Sequence, residues 1–446
     1  MSTPLPPVAL YIHLPFCVAR CPYCDFVVYA GGDARGPRAR TERLYEAVGR
    51  ELELRADALD ERFGVAGPAA AGTNPASDPA SAPSGGPEAS GGPEASGGPE
   101  ASGGREPLRS VYFGGGTPSL VPGEWLERLM AIVRTRFGVA PDAEVTLEAN
   151  PGPDERGDPA AFRGAGVTRV SLGAQSMDAS ELRRLGRRHS PEDVAAAVDA
   201  TRAAGVGSIN LDLLYDVPGQ SVAAWEWTLR AALALAPDHL SLYALTLDDP
   251  DAEGLTGATG DHLPTLPGAR RWRERARLEQ DDDRAADQYG LATELLAARG
   301  WRGYEISNWA RPGHESGHNL VYWRREPYEA VGPGAHAFDG VARRWNSARM
   351  QDYVDALLPA EGRPHTPPGD REHISARTAA AERTILALRL DLGVPAAWAE
   401  EQPAADAFEW ARSSGLVESF DVEGRTRVRL TLRGRLLSNE LFRRLL

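Results

Sequence analysis

The sequence predicts an α/β fold: a partial (β/α)6 barrel, then a smaller C-terminal α+β region with a winged-helix-like outline. Two observations carry this reading. Six apolar, strand-like runs alternate with helical patterns through the first 250 residues, and the alternation then stops. Repeated βα units imply a parallel sheet with helices outside, and six units fall short of a closed eight-stranded barrel. In order, the runs are ALYIHLPF at 9 to 16, SVYFGG at 110 to 115, EVTLEAN at 144 to 150, RVSLGAQ at 169 to 175, SINLDLLYD at 208 to 216 and HLSLYALTL at 239 to 247. Patterns such as EWLERLMAIVRTRF and PEDVAAAVDATRAAG separate them at helical spacing. Chemistry in such barrels sits at the carboxyl ends of the strands, which is where site residues are sought.

Residues 67 to 104 interrupt the first unit. They contain only Gly, Pro, Ala, Ser, Glu, Asp, Thr and Asn and end in three copies of PEASGG. Without aromatic or branched apolar side chains such a segment cannot offset its chain entropy, so a disordered surface insert is expected, one that function survives losing. The expected organisation is a barrel over 1–250 containing this insert, an extension over 251–365, and a C-terminal domain over 366–446. The extension holds a helix around 283 to 299, the run YEISNWARPGHESGHNLVYW and a small helical region. Two helical patterns, RTRVRLTL and LRGRLLSNELFRRLL give the last part its winged-helix outline.

All 49 basic residues are Arg, and 63 acidic residues bring the net charge to −14. A broad phosphate-binding surface, and with it a nucleic-acid partner, is disfavoured. No run of about 18 apolar residues or signal-type start is present, so a cytoplasmic protein without a membrane span is expected. The three cysteines lie within Cys17 to Cys24, too few for a disulfide framework and clustered as for a cofactor in a reducing compartment.

Cys17, Cys21 and Cys24 follow the first strand at CxxxCxxC spacing. Structural zinc would require a fourth N or S ligand, which His13 could supply, and thioredoxin-like chemistry needs only one CxxC. Three thiolates on a [4Fe-4S] cluster instead leave one iron open to a small chelating ligand. This spacing, followed by an aromatic residue, resembles the radical S-adenosylmethionine (SAM) superfamily. YIHLPFCVARCPYCDF, YFGGGTPS, LEANP, SLGAQS, LGRRH and NLDLLYDVPGQ together resemble its coproporphyrinogen oxidase-like group.

The resemblance implies a [4Fe-4S] cluster on the cysteines and SAM on the rim. Gly114, Gly115 and Gly116, with Thr117 after them, would let backbone approach the amino acid end of SAM. Glu148, Gln175, Arg187 and Asp212 match SAM-binding positions of the similar family, and Tyr11 and Ala244 match further ones, although Tyr11 equally suits a core aromatic. Carboxylates can accept from ribose hydroxyls or an ammonium, and Arg can pair bidentately with a carboxylate.

Oxygen-independent coproporphyrinogen III oxidases carry a fourth cysteine two positions after the third and a long segment before the first strand. Here Phe26 stands at that position, and a short leader precedes Tyr11. Both features resemble instead the HemW family of haem chaperones, with CxxxCxxCxF and HNxxYW, read here as His318, Asn319, Leu320, Val321, Tyr322, Trp323. An imidazole can ligate iron, aromatics can stack on a macrocycle, and Arg324 and Arg325 can pair with propionates. His318 and Trp323 could also simply pack, and His314 and His336 are rival ligands. The resemblance implies a haem chaperone that passes one haem per chain to an acceptor protein, such as one of the respiratory chain; a homodimer is compatible with it. Whether the chain is also an enzyme stays open, the alternative being radical-driven decarboxylation of coproporphyrinogen III. A tRNA-modifying enzyme would require a basic patch or an RNA domain.

Overall fold

The computed structural model describes residues 3–33, 40–67, 104–248 and 250–446. Strands β1 (Ala9–Leu14), β2 (Leu108–Gly115), β3 (Val139–Ala149), β4 (Arg169–Gln175), β5 (Ser208–Tyr215) and β6 (His239–Ala244) pair in parallel in that order. All six runs singled out in the sequence are therefore strands. They are buried on both faces, which demands near-continuous apolar runs: Ile12, Val111, Phe113, Leu147, Ile209, Leu211 and Leu240 are fully buried. Helices α1 (Thr41–Phe63), α2 (Gly123–Arg136), α3 (Pro159–Ala165), α4 (Pro191–Ala203) and α5 (Val222–Ala234) occupy the connections. Their starts are set locally: Ser190 and Asp193 form a reciprocal capping box with Pro191 at the first position, and Asp158 and Ser221 cap α3 and α5.

Two helices, α6 (Pro267–Arg277) and α7 (Asp282–Ala297), follow β6, and β7 (Asn308–Ala310) pairs antiparallel with it. HNLVYW lies on α8 (Gly317–Trp323). The small helical region expected after it is a correction. The chain forms strands β8 (Tyr328–Val331), β9 (His336–Phe338) and β10 (Ala342–Asn346), then helix α9 (Met350–Leu357) and strand β11 (Gly369–His373). β8 adds in parallel to the free edge of β1, opposing Tyr11 with Ala330, and β9 to β11 continue antiparallel. Strands of three to five residues are too short to show a period, and pairing at the edge of β1 decides them. The sheet reaches twelve strands among the described residues.

The C-terminal part has its own core of Leu388, Val394, Phe408, Val428, Leu430 and Leu441. It consists of α10 (Ala376–Arg389), α11 (Ala404–Ser413), the hairpin β12 (Val417–Val422) and β13 (Arg425–Leu430), and a terminal helix, α12 (Ser438–Leu445). This agrees with the α+β outline. The insert expected to be disordered spans 67–104, of which 68–103 lie outside the described residues. Its flanks are paired: Gly67 N donates to Arg105 O at 2.9 Å and Arg105 N to Val65 O at 3.1 Å.

Candidate functional site

The cysteine loop leaves the carboxyl end of β1 and is tied down by a ring of hydrogen bonds. Cys17 Sγ and Thr117 Oγ1 are 3.1 Å apart, Asn150 Nδ2 donates to Thr117 Oγ1 at 3.0 Å, and Arg187 binds both Asn150 Oδ1 and, at 3.4 Å, Cys21 Sγ. Thr117, proposed from sequence for SAM, thus touches a cysteine. From the other side Arg273 of α6 donates to the carbonyls of Pro22 and Cys24, each at 3.0 Å, and Trp272 lies beside Tyr23. Arg273 was not identified from sequence, since an Arg in an Arg-rich helix carries no signal of its partner. Burial pushes the Cys17 and Cys24 thiols up to about 12, so a metal bound there would have to displace their protons. Among the described residues no three His, Cys, Asp or Glu side chains converge on a single ion. Thiols that each bound a separate iron would have no need to.

The glycine run is required by packing against β1. A Cβ at Gly116 would lie 2.6 Å from the Pro15 carbonyl carbon, and one at Gly115, where φ is +115°, 2.5 Å from the His13 ring. Beside it Glu148 accepts from Tyr112 Oη at 2.8 Å and from Gly115 N at 2.9 Å. Burial still raises its pKa to about 7, and the pKa of Asp212 is likewise raised by burial despite donors from Asn210 and Ser171. The Asp212 carboxylate raises Glu148 further, and Arg169, which lowers both, offsets their burial only in part. Arg187 Nε is buried with no partner. A cationic ligand with a carboxylate of its own fits both needs. Gln175, at φ +65°, ends β4, and Ala244 ends β6 on the same rim.

HNLVYW divides between two environments. Glu144 accepts from the backbone N of Gly317 and His318, each at 3.0 Å, anchoring α8 under the barrel. His318 is 1% exposed, with Nδ1 3.0 Å from Ser110 Oγ and Nε2 2.8 Å from Tyr322 Oη. Its ring lies 5.0 Å from that of Tyr112, one layer below Glu148, and burial lowers its pKa to about 3. Here His318 is a core residue. Asn319 contributes its backbone N to the Ser316 cap. Tyr322 and Trp323 instead face a cavity of about 450 Å³, a size suited to a small cofactor.

This cavity opens beside the cysteine loop. Phe26 and Val27 form one side, Tyr11 and His13 the floor, Tyr328, Phe338 and Leu386 the apolar wall, and Arg325 and Arg343 a cationic edge. Trp323 Nε1 and Arg325 Nη2 are buried donors with no partner. Arg325 lies 4.6 Å over Phe338, and Glu382 of α10 holds Arg325 and Arg343 together. Arg324, expected to bind propionates, is exposed at the end of α8. His314 pairs with Ser208 at the start of β5, at the amino end of the barrel, whereas His336 lines the cavity with Asp261 and His262. Partial burial works against it, but hydrogen bonds from both imidazoles hold Asp261 well below the usual carboxylate range. Asp261 and His262 were not identified from sequence: they lie in a loop, and their proximity to His336 is purely tertiary.

No helix among the described residues is long and apolar enough to cross a membrane. Residues 100–232 match the model of the radical SAM superfamily. The chain is 36% identical over 447 residues to heme chaperone HemW of Mycobacterium tuberculosis, covering 99% of this chain and 96% of that protein. It is 35% identical over 332 residues to heme chaperone HemW of Escherichia coli, covering 74% and 70%. Among solved structures it resembles the coproporphyrinogen III oxidase HemN of E. coli, a radical SAM enzyme, with a TM-score of 0.71 at 20% identity over 99% of this chain and 91% of that one.

Proposed function

As the chain belongs to the HemW family of the radical SAM superfamily, we propose that it is a haem chaperone holding a [4Fe-4S] cluster and SAM, and that it binds one haem in the cavity and passes it to an acceptor protein. The observation that carries this is the cavity wall: aromatic faces for a flat macrocycle, with the unpartnered donors Trp323 Nε1 and Arg325 Nη2 and the cation Arg343 for its carboxylates. Cys17, Cys21 and Cys24 would hold the cluster, and Gly115, Glu148, Gln175, Arg187, Asp212 and Ala244 would frame SAM. When bound, the cluster supplies one electron and an open iron. Phe26, two residues beyond Cys24, forms part of both the loop and the cavity, so the haem would lie against the cluster-bearing segment.

The test is anaerobic. Protein with reconstituted cluster is incubated with SAM, reductant and coproporphyrinogen III, and a parallel sample is titrated with haemin. The expected result is one haemin per chain with no decarboxylated product. Turnover to protoporphyrinogen with release of 5′-deoxyadenosine would make the chain an oxidase.

A further inference from the structure

With His318 closed at both ring nitrogens, a haem in the cavity needs its axial ligand from elsewhere. Asp261 accepts from His262 Nδ1 at 2.9 Å through Oδ1 and from His336 Nε2 at 2.7 Å through Oδ2. An ionised carboxylate only accepts, so His262 donates from Nδ1, and in the neutral imidazole Nε2 then carries the lone pair. No hydrogen bond reaches that Nε2 among the described residues. Imidazoles that bind metals are oriented in this way, by a carboxylate on the other ring nitrogen.

The other imidazoles of the cavity do not offer this. In His336 the open nitrogen is Nδ1, crowded by its own Cβ, and the ring is stacked on Trp345 at 5.7 Å and 20°. His13 is engaged at both nitrogens, by Tyr11 Oη and the Val27 carbonyl. The loop bearing His262 is held in place: His262 bridges to Thr256, Ala348 N donates to Gly260 O at 2.9 Å, and Gly334, at φ +74°, packs so closely that a Cβ would lie 3.0 Å from Asp261 O and 2.6 Å from Val27.

We propose that His262, oriented by Asp261, is the axial ligand of the bound haem, with His336 bracing Asp261 from the opposite side. Nε2 of His262 forms a dative bond to the iron and displaces water or hydroxide; no electron is transferred, the neutral imidazole releases no proton, and an imidazolium first gives its Nε2 proton to solvent. The inference rests on the haem reading of the cavity.

The experiment is a haemin titration of the full chain and its variants by absorption and EPR spectroscopy. His262→Ala should lose the histidine-ligated Soret and EPR signature, and added imidazole should restore it. Asp261→Asn should keep the ligand and weaken haemin binding about 10- to 100-fold. His318→Ala, with the cavity imidazole intact, should retain the parent spectrum. A parent spectrum in His262→Ala, or its loss in His318→Ala alone, overturns the assignment while leaving the haem reading standing. If the parent chain binds no haemin, the proposed function and this inference fail together. Failure of imidazole to restore the signal in His262→Ala, with haemin still bound, overturns the assignment as well.

Discussion

Arg187 places Nη1 3.4 Å from Sγ of Cys21, while Nη2 of the same guanidinium donates to Asn150 Oδ1 and to the Gly173 carbonyl at 2.8 Å. The planar fork thus fixes a cysteine relative to the ends of β3 and β4. A Lys could supply charge at one of these points but not the rigid span. Arg187→Ala should weaken iron retention about 10- to 100-fold, and Arg187→Lys should fall between it and the parent. Iron per chain after a chelator challenge measures this; equal retention in all three would reduce Arg187 to a brace for Asn150.

Glu148 links the rim to pH. Burial raises its folded-state pKa to about 7 from an ordinary 4.5, so the folded chain favours the protonated carboxyl. The contribution is complete below the unfolded value and is lost as pH rises through about 7. Glu148→Gln should therefore flatten the stability profile between about pH 4.5 and 7, leaving the variant relatively more stable at the upper end. Denaturant unfolding at several pH values tests it. Parallel profiles for parent and variant would mean that water or an ion already compensates the charge.

The strands, the cysteine loop and the placement of Glu148, Gln175 and Ala244 at the ends of strands were legible because each is a local pattern: an apolar run, a spacing, or the residue that closes a run. What escaped was tertiary. β8 to β11 are decided by the free edge of β1 rather than by their own sequences. His318 looked like a ligand because its motif is specific, yet Ser110, 208 positions away, closes one of its nitrogens. Asp261, His262 and His336 meet across more than 70 residues, and Arg273 reaches back about 250 to the cysteine loop. No window of sequence contains these pairs.

The paired flanks of the insert give its expected dispensability a structural form. Val65, Gly67 and Arg105 already hydrogen-bond across the gap, and a β-carbon on Gly104 would collide with Val65 O, so the two ends meet closely. Replacing 68–103 with a four-residue turn shortens the closed loop by about three doublings, worth up to about 2 kcal/mol of added stability. Thermal unfolding and haemin titration of the deletion should show an unchanged or higher Tm and parent affinity. A lower affinity would give the insert a part in haem handling.

Glu382 couples α10 to the cavity by holding two cations at once, Arg325 Nε at 3.1 Å and Arg343 Nη2 at 2.6 Å. Its side chain and that of Arg325 are 13% and 14% exposed, so removing the carboxylate leaves a mostly buried guanidinium uncompensated. Glu382→Ala should destabilise the free protein by about 3 kcal/mol and loosen α10, read out by denaturant unfolding and limited proteolysis. The same change frees both cations for the carboxylates of a ligand. Haemin should therefore stabilise Glu382→Ala more than it stabilises the parent, whereas Arg343→Ala should lose about 10- to 100-fold in haemin affinity, the worth of a charge-assisted hydrogen bond. If haemin raises the Tm of the parent and of Glu382→Ala equally, the propionates lie elsewhere, and Arg325 and Arg343 serve only to join the two parts of the chain.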